Sequence, residues 1–306
     1  GLADPAARPP ADVVIVGLPY EGGSCWRPGA AAAPQRLRAI SSSSPAISEI
    51  GTPIRPGDLS VIDAGDIMPE APAQDDAARR RYFDRVEEVL APILATPSAA
   101  GQPPFLLAIG GDHSVNIPLL SAFGRRYPSG YGLISLDAHP DLFDLYDGSP
   151  LINACPLRRA LDSGGLTPGR LLILGTRSYN TSELDFMREQ DIRFVPARQI
   201  ERDGIASVLS QARRQFSGVD PLYLTIDIDI ADPGCAPGTG APVAGGLSGR
   251  QVLDLARGLL ESLPIRGMDL VEVAPPLDPT DATLFLALQI VFETLAVLAE
   301  RRSARE

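Results

Sequence analysis

The stretch Leu133-Ile-Ser-Leu-Asp-Ala-His-Pro-Asp141 sets a short, mainly apolar run directly before three polar side chains spaced two residues apart. An apolar run of this length, bounded by a turn, is typical of a buried strand. The same order recurs at Phe105-Leu-Leu-Ala-Ile-Gly-Gly-Asp-His-Ser114 and at Leu222-Tyr-Leu-Thr-Ile-Asp-Ile-Asp229. Strands that are apolar along their length and polar where they end are typical of a parallel sheet, whose ligands bind at the carboxyl ends of the strands.

Outward from these three stretches, short apolar runs alternate with segments of helical periodicity. Further strands are predicted at Asp12–Leu18, Val61–Asp66, Leu171–Leu174 and Met268–Val273. Helices are predicted at Asp75–Leu94, Ile117–Arg126, Leu157–Asp162, Ser182–Glu189, Ile205–Phe216, Ser248–Ser262 and Asp281–Glu300. Strands that alternate with helices form parallel sheets covered on both faces. We therefore predict an α/β fold, a three-layer α/β/α sandwich with a mainly parallel sheet.

Length and composition are those of an ordinary globular protein. The chain has 306 residues, of which 44% are hydrophobic and 21% are charged, and this gives no case for disorder. Because neither an internal repeat nor a linker divides the chain, a single domain over residues 1–306 is predicted. Residues 1–11 are rich in Ala and Pro and are predicted to form an N-terminal arm.

The formal net charge is −11, from 27 basic and 38 acidic side chains. An acidic surface argues against nucleic-acid binding and is compatible with a small cationic substrate. Many soluble proteins are acidic for solubility alone, so the charge decides little between functions. Three widely spaced cysteines, Cys25, Cys155 and Cys235, indicate reduced thiols and a cytoplasmic location.

The chain shows no pattern that predicts membrane association. The first residues lack the charged and apolar regions of a secretory signal. The longest apolar stretch, Leu284–Ala299, contains Gln289 and Glu293 and is shorter than the roughly 20 apolar residues of a membrane span. This stretch is therefore predicted to be a buried or interface helix.

The polar residues at the three strand ends form a candidate metal site. Two of the stretches carry acidic or imidazole side chains at alternate positions, which project to one side of an extended chain. Buried carboxylates repel each other strongly unless a cation lies between them. The candidate ligands are His113, Asp137, His139, Asp141, Asp227 and Asp229.

The residue types of this set indicate which ions it would hold. Two imidazoles and four carboxylates favour hard divalent ions, so Mn²⁺ fits better than a structural Zn²⁺ site. Six ligands suit two ions that share carboxylates. Each motif alone is commonly a turn or a core histidine. The three motifs together contain both histidines of the chain, and this combination favours a metal centre.

These motifs resemble those of the ureohydrolase family of arginases, agmatinases and related guanidino-acid hydrolases. The likeness runs over nearly the whole chain. Its three metal motifs are Gly110–Ser114, Asp137–Asp141 and Asp227–Gly240. Its other motifs are Gly17–Gly23 with Arg27–Gly29, Asp63–Asp66, Gly175–Arg177 and Asp269–Val273. The resemblance implies an arginase-like α/β sandwich, two Mn²⁺ ions and a homo-oligomer, either a trimer or a hexamer.

Carried onto this chain, the resemblance also implies a role for each candidate residue. One ion would be held by His113, Asp137, Asp141 and Asp227, and the other would be completed by His139 and Asp229. Asp137 and Asp227 would bridge the two ions. Asp141 would orient a bridging hydroxide for attack on a guanidinium carbon, and Glu272 would pair with the guanidinium.

The chain departs from the family pattern around the organic substrate. Family enzymes usually carry a histidine shortly after the Asp-x-His-x-Asp segment, where this chain has Asn153. An amide exchanges hydrogen bonds but cannot shuttle a proton to the leaving amine. Ala241 follows Gly-Thr-Gly, where the family usually has threonine. Phe143 stands where arginases place a polar residue, which favours a guanidino-alkane or guanidino-acid over free arginine.

The sequence therefore predicts a dinuclear Mn²⁺-dependent hydrolase of a C–N bond in a guanidino or amidino compound, with Ni²⁺ or Fe²⁺ as other candidate ions. The predicted catalytic residues are Asp141, Glu272 and Asn153, and the predicted substrate-binding residues are Glu272, Asn153 and Thr239. One alternative is a divergent member that hydrolyses a different amidine or amide bond. The other is a catalytically inactive, metal-binding subunit of an oligomer.

Overall fold

The computed structural model describes residues 10–55, 57–70, 75–98 and 101–304. Its strands are β1 (Val13–Gly17), β2 (Val61–Asp66), β3 (Phe105–Ile109), β4 (Gly132–Leu136), β5 (Leu171–Leu174), β6 (Arg193–Val195), β7 (Leu222–Asp227) and β8 (Ile265–Val271). They form one sheet in the order β2-β1-β3-β8-β7-β4-β5-β6. Every pairing between neighbouring strands is parallel. The α/β prediction is confirmed, and among the described strands the sheet is wholly parallel.

The helices are α1 (Ala33–Ser41), α2 (Asp76–Ala95), α3 (Asn116–Arg126), α4 (Pro156–Asp162), α5 (Thr181–Glu189), α6 (Ala197–Asp203), α7 (Ile205–Gln215), α8 (Gly249–Ser262) and α9 (Ala282–Ser303). They cover both faces of the sheet, because alternate strand side chains enter different cores. In β3, Leu107 packs in one core with Leu259 of α8, and Leu106 packs in another with Val86 of α2. This arrangement confirms the three-layer sandwich.

Two short elements were not predictable by apolar periodicity. Strand β6 has three residues at the edge of the sheet, and only Val195 among them is fully buried. Helix α6 has seven residues and follows it directly. Strand β8 begins at Ile265, three residues before the predicted start. The prediction began too late because Arg266 and Gly267 interrupt the apolar pattern. The predicted ends of the other helices differ from the structure by one residue in most cases.

Helix α9 is the apolar helix expected near the end of the chain. It spans 22 residues, more than the apolar stretch Leu284–Ala299, and an 18-residue window of it has a mean hydropathy of 2.0, so its length and composition would allow it to cross a membrane. However, 78% of its most apolar window is buried inside the protein. Its residues, including Leu284 and Phe292, pack in the core that contains Leu107 of β3. This burial is that of a core helix.

Residues 1–9 of the predicted N-terminal arm lie outside the described residues. Of the arm's last two residues, Ala11 is buried in the core that contains Leu106, directly before β1. The single domain over residues 1–306 stays a prediction.

Candidate metal centre

Four neighbouring strands at the middle of the sheet, β3, β8, β7 and β4, carry polar residues at their carboxyl ends. His113 follows β3, Glu272 follows β8, Asp227 ends β7 and Asp137 follows β4. Because these strands are adjacent and parallel, the loops that leave them meet at one edge of the sheet. The structure thereby brings together all six predicted metal ligands and Glu272.

The first group of ligands surrounds His113. Its Nδ1 atom lies 2.9 Å from Asp141 Oδ2, 3.1 Å from Asp137 Oδ2 and 3.5 Å from Asp227 Oδ2. All four residues are buried. Ligand atoms of His113, Asp137 and Asp141 lie within 4.8 Å of one another. One cation can therefore contact all three of these atoms.

The second group lies on the other side of Asp137. His139 Nδ1 is 3.0 Å from Asp229 Oδ2 and 3.6 Å from Asp137 Oδ1. Asp137 thus directs Oδ2 towards His113 and Oδ1 towards His139, as a carboxylate shared between two ions does. Asp227 Oδ2 faces His113, whereas its Oδ1 accepts a hydrogen bond from the Asp229 amide at 2.8 Å. A bridging role for Asp227 stays a prediction.

The donor set fits a pair of divalent cations. His113 Nδ1 and Asp137 Oδ2 are buried and have no hydrogen-bond partner among the described residues. Burial, together with the charge of Asp137, raises the pKa of Asp141 to about 6. Burial and the charge of Asp229 raise the pKa of Asp227 well above its ordinary value. Carboxylates packed in this way resist ionising together unless positive charge compensates them.

A buried chain of polar side chains holds the other ring nitrogen of His113. His113 Nε2 lies 3.0 Å from Thr225 Oγ1. The Thr225 hydroxyl donates its one proton to Asp269 Oδ1 at 2.6 Å and accepts a hydrogen bond from Asn116 Nδ2 at 3.1 Å. Nε2 must therefore donate to Thr225, which leaves Nδ1 as the ring nitrogen that faces the carboxylates and is able to bind a metal ion. This is the tautomer that a metal-binding imidazole requires.

Thr225, Asn116 and Asp269 are absent from the predicted site residues, although all three are fully buried. The sequence carries a signal for two of them, because Thr225 and Asp269 interrupt the apolar strands β7 and β8. A polar side chain inside a buried strand requires a partner. Thr225 also lies two residues before Asp227, on the same side of the strand. Asn116 begins helix α3 and gives no comparable signal.

Glu272 lies beside the metal ligands and is fixed by two donors. Its Oε1 atom accepts hydrogen bonds from the His113 amide at 2.9 Å and from Asn153 Nδ2 at 3.0 Å. Burial and the charge of Asp112 raise the pKa of Glu272 to about 8. A Cβ atom at Gly240 would lie 3.4 Å from Glu272 Oε2, so the glycine leaves open space beside that oxygen.

Two of the predicted catalytic residues have strained backbones. Asp141 has a φ of 53° and Glu272 a φ of 60°, in the left-handed region that residues other than glycine rarely adopt. Such a conformation costs on the order of 1–3 kcal/mol and persists only where the surroundings enforce it. Strain at both positions is typical of side chains that are aimed for chemistry.

Arg177 anchors the loop that carries the second group of ligands. Its Nη2 atom donates to the carbonyls of Asp229 at 2.6 Å, Val243 at 2.8 Å and Ala231 at 3.2 Å. The Gly175–Arg177 motif therefore has a structural role, because it fixes the backbone after β7. The position of Asp229 depends on this anchor.

A cavity of about 650 Å³ opens onto the metal ligands. This volume is within the range of small-molecule sites. Its wall includes the predicted substrate-binding residues Asn153, Thr239 and Glu272, together with Phe143 and Ala241. Thr239 Oγ1 and Asn153 Oδ1 are buried and have no hydrogen-bond partner among the described residues. The positions where the chain departs from the ureohydrolase pattern thus face one shared space.

Comparison with known proteins agrees with this geometry. A family model described as the Arginase family matches residues 11–296. The guanidinopropionase of Pseudomonas aeruginosa is 37% identical over 303 residues, which cover 98% of this chain and 89% of that protein. The mitochondrial agmatinase of Gallus gallus is 36% identical over 290 residues, covering 94% of this chain and 81% of that protein. The solved structure of proclavaminate amidino hydrolase from Streptomyces clavuligerus has a TM-score of 0.84 and 31% identity, covering 97% and 94% of the two chains. The chain belongs to the arginase family.

Proposed function

We propose that this protein is a dinuclear, Mn²⁺-dependent hydrolase that cleaves a C–N bond of a guanidino or amidino compound and, when the substrate is a guanidine, releases urea and an amine. As a member of the arginase family it is a hydrolase, and its relatives include proteins named guanidinopropionase, agmatinase and guanidino acid hydrolase. The observation that carries the proposal is the position of Asp137, whose two oxygens face His113 and His139.

The proposed ligands divide into two sets that share Asp137. One set is His113, Asp137, Asp141 and Asp227, and the other is Asp137, His139 and Asp229, with Asp227 as a second bridge. When bound, the two ions supply a water acidic enough to attack at neutral pH and positive charge beside the reacting carbon. His113 would offer Nδ1 to its ion, because Nε2 donates a hydrogen bond to Thr225.

Glu272 is the proposed partner of the substrate guanidinium. Two donors already occupy Oε1, which leaves Oε2, beside Gly240, to accept hydrogen bonds from the substrate. A buried carboxylate that binds a guanidinium gains both charge and hydrogen-bond complementarity. Asn153 holds Glu272 in place but has no proton to deliver to the leaving amine.

The direct test is product release by the protein loaded with Mn²⁺. Urea, ammonia and free amine are measured after incubation with a panel of guanidines and amidines. Urea from any alkylguanidine supports the proposal. Amide or ammonia without urea would indicate the alternative reaction on a different amidine or amide bond. The absence of every product would leave the inactive, metal-binding subunit as the better description.

The metal ligands are tested separately by metal content. Asp227→Ala removes a carboxylate of the first group, so the purified variant should hold at least one ion fewer per chain than the parent protein. Asp254→Ala, an exposed acidic residue on α8, is the matched control and should leave the content unchanged. Full metal content in Asp227→Ala would reject this ligand set.

The Asn153→His variant tests whether the site lacks only a proton shuttle. General acid–base groups contribute about 10²–10⁴-fold to rate. Urea release should therefore rise at least about tenfold in this variant while the metal content stays the same. A rate that does not rise would show that the native reaction does not need a histidine at this position.

Three further features stay proposals that rest on the sequence and the family resemblance. They are the choice of Mn²⁺ over Ni²⁺ or Fe²⁺, the trimeric or hexameric homo-oligomer and the cytoplasmic location. Activity after reconstitution with each ion separates the metals, since ligand chemistry alone does not. Sedimentation of the purified protein gives the number of copies in the assembly.

A further inference from the structure

Aromatic side chains form part of the cavity wall. Trp26, Phe143, Tyr146 and Tyr179 all line it. Trp26 is 73% exposed, which is unusual for so large an apolar group. The rings of Phe143 and Tyr146 pack edge to face with their centroids 5.0 Å apart. We refer to these four residues as the aromatic rim.

The hydroxyl of Tyr179 is already used within the protein, because it donates to the Thr176 carbonyl at 2.9 Å. Its ring packs edge to face against Phe194 at 6.0 Å. The ring is thus the part of Tyr179 that remains to contact a ligand. Together with the Phe143–Tyr146 pair, it gives the rim aromatic surfaces that contacts within the protein already hold in place.

Glu183 is a charged residue of the wall that is not available to a substrate. It is 3% exposed, and its two carboxylate oxygens accept hydrogen bonds from the amides of Leu142 and Asn180, both at 3.1 Å. A substrate ammonium group would have to displace these internal hydrogen bonds in order to pair with Glu183. The carboxylate therefore serves the fold of the wall.

Among the lining residues that the structure describes, Arg27 is the other charged residue that is neither a candidate metal ligand nor Glu272. Its Nε donates to the Gly240 carbonyl at 3.1 Å and its Nη2 to the Thr239 carbonyl at 2.9 Å. These bonds hold the guanidinium against the backbone of the loop. Arg27 is thus committed to that loop through two of its three nitrogens.

We propose, on the basis of the function proposed above, that the substrate is a guanidino-alkane whose far end is apolar and packs against the aromatic rim. A flat or aliphatic group buries surface against the rings of Trp26, Phe143 and Tyr146 without losing hydration. A carboxylate or an ammonium at the same place would lose hydration, and the charged residues of the wall already have partners inside the protein.

Three guanidines of similar length but different end groups test this inference. They are pentylguanidine, with a neutral end, 4-guanidinobutyrate, with an anionic end, and agmatine, with a cationic end. The kcat/KM for pentylguanidine should exceed both others by about tenfold or more. Equal or higher kcat/KM for 4-guanidinobutyrate would overturn the inference and indicate that Arg27 receives a carboxylate. Equal or higher kcat/KM for agmatine would also overturn it and indicate a cation–π contact at the rim.

Variants of the aromatic rim test whether it causes the preference for an apolar end group. Trp26→Ala should raise the KM for pentylguanidine about tenfold and leave kcat nearly unchanged, because the contact is the same in the ground state and the transition state. Trp26→Phe should restore most of the loss. For methylguanidine, whose single methyl group buries little apolar surface, the rise in KM caused by Trp26→Ala should be much smaller than for pentylguanidine. Phe285→Ala, which removes a 53% exposed aromatic outside the cavity, is the matched control and should behave as the parent protein.

Calorimetric binding of the same three guanidines to the Mn²⁺-loaded protein separates this inference from the proposed function. If no compound yields urea but pentylguanidine binds most tightly, the hydrolytic function fails and the rim assignment stands. If urea is released and pentylguanidine binds no better than the charged compounds, the rim assignment fails and the hydrolytic function stands.

Discussion

Replacing Thr225 with valine removes one hydroxyl from the centre of the metal site and changes little else. The two side chains have nearly the same shape, and valine is at least as favourable as threonine in a buried strand. The hydroxyl lies 3.0 Å from His113 Nε2, 2.6 Å from Asp269 Oδ1 and 3.1 Å from Asn116 Nδ2. The Thr225→Val variant therefore breaks three contacts and leaves the Nε2 proton of His113 without an acceptor.

Two effects of similar size follow. Loss of the acceptor behind a metal-binding imidazole typically lowers metal affinity by about 10–100-fold, or about 1.4–2.8 kcal/mol. The partners of Thr225 are buried, and an unsatisfied buried polar group costs about 1–3 kcal/mol in the free energy of unfolding. Asp269 keeps its contact with Asn116, which limits the loss of stability. Both the affinity for Mn²⁺ and the stability of the metal-free protein should thus fall, by amounts of similar size.

Competition with a chelator of known affinity measures the dissociation constant of Mn²⁺, and urea unfolding of the metal-free protein measures stability. Ser135→Ala is the matched control, because Ser135 lies in β4, is fully buried and has a hydroxyl without a hydrogen-bond partner among the described residues. This control should bind Mn²⁺ as the parent protein does. A folded Thr225→Val protein whose dissociation constant stays within about twofold of the parent would refute the orienting role of Thr225.

Three other predictions concern the residues that are proposed to bind or position the substrate. Gly240→Ala should lower kcat/KM about tenfold at unchanged metal content, as measured by steady-state kinetics and metal analysis. The reason is that the new Cβ would lie 2.8 Å from the Arg27 carbonyl and 3.4 Å from Glu272 Oε2. Asn153→Leu should weaken the binding of a guanidine at least about tenfold in calorimetry, because Glu272 loses a charge-assisted hydrogen bond. Unchanged affinity would contradict the role of the Asn153–Glu272 contact at 3.0 Å. In the metal-free protein, Glu272 has a pKa of about 8 against an ordinary value of 4.5, so between these values the folded state holds more protons than the unfolded state. The free energy of unfolding should therefore fall as pH rises through this window in urea titrations with chelator, and this fall should be smaller in Glu272→Gln.

The sequence was sufficient for the fold class and for the set of metal-binding candidates because both depend on local patterns. Apolar runs in β3, β4 and β7 predict buried strands, and Asp137 and His139 are separated by the two-residue spacing that places them on one side of the chain. The structure places Asp137 between the two histidines, 3.1 Å from His113 Nδ1 and 3.6 Å from His139 Nδ1. That ligands from different strands lie close together was predicted only from the general rule that parallel strands end at one edge of the sheet.

The order of the strands lies outside what local patterns determine. Strand β8 is the last in the chain, yet it is inserted between β3 and β7. That insertion places Glu272 beside His113 and Asp269 beside Thr225. Contacts between residues far apart in sequence follow from the packing of the whole sheet, so the buried polar chain behind His113 was not predictable.

The same distinction explains why the substrate is harder to assign than the chemistry. The metal ligands must meet strict requirements of charge and distance, so few residue types can fill them and their pattern is readable. The aromatic rim is built from Trp26, Phe143, Tyr146 and Tyr179, whose apolar contacts fix neither distance nor orientation closely. Asn153 connects the metal ligands with the substrate-binding part of the site, because it holds Glu272 with an amide that does not change protonation with pH. A histidine there could also donate a hydrogen bond to Glu272 but would add a titratable proton, so the amide preserves the grip on the guanidinium and gives up only the proton relay.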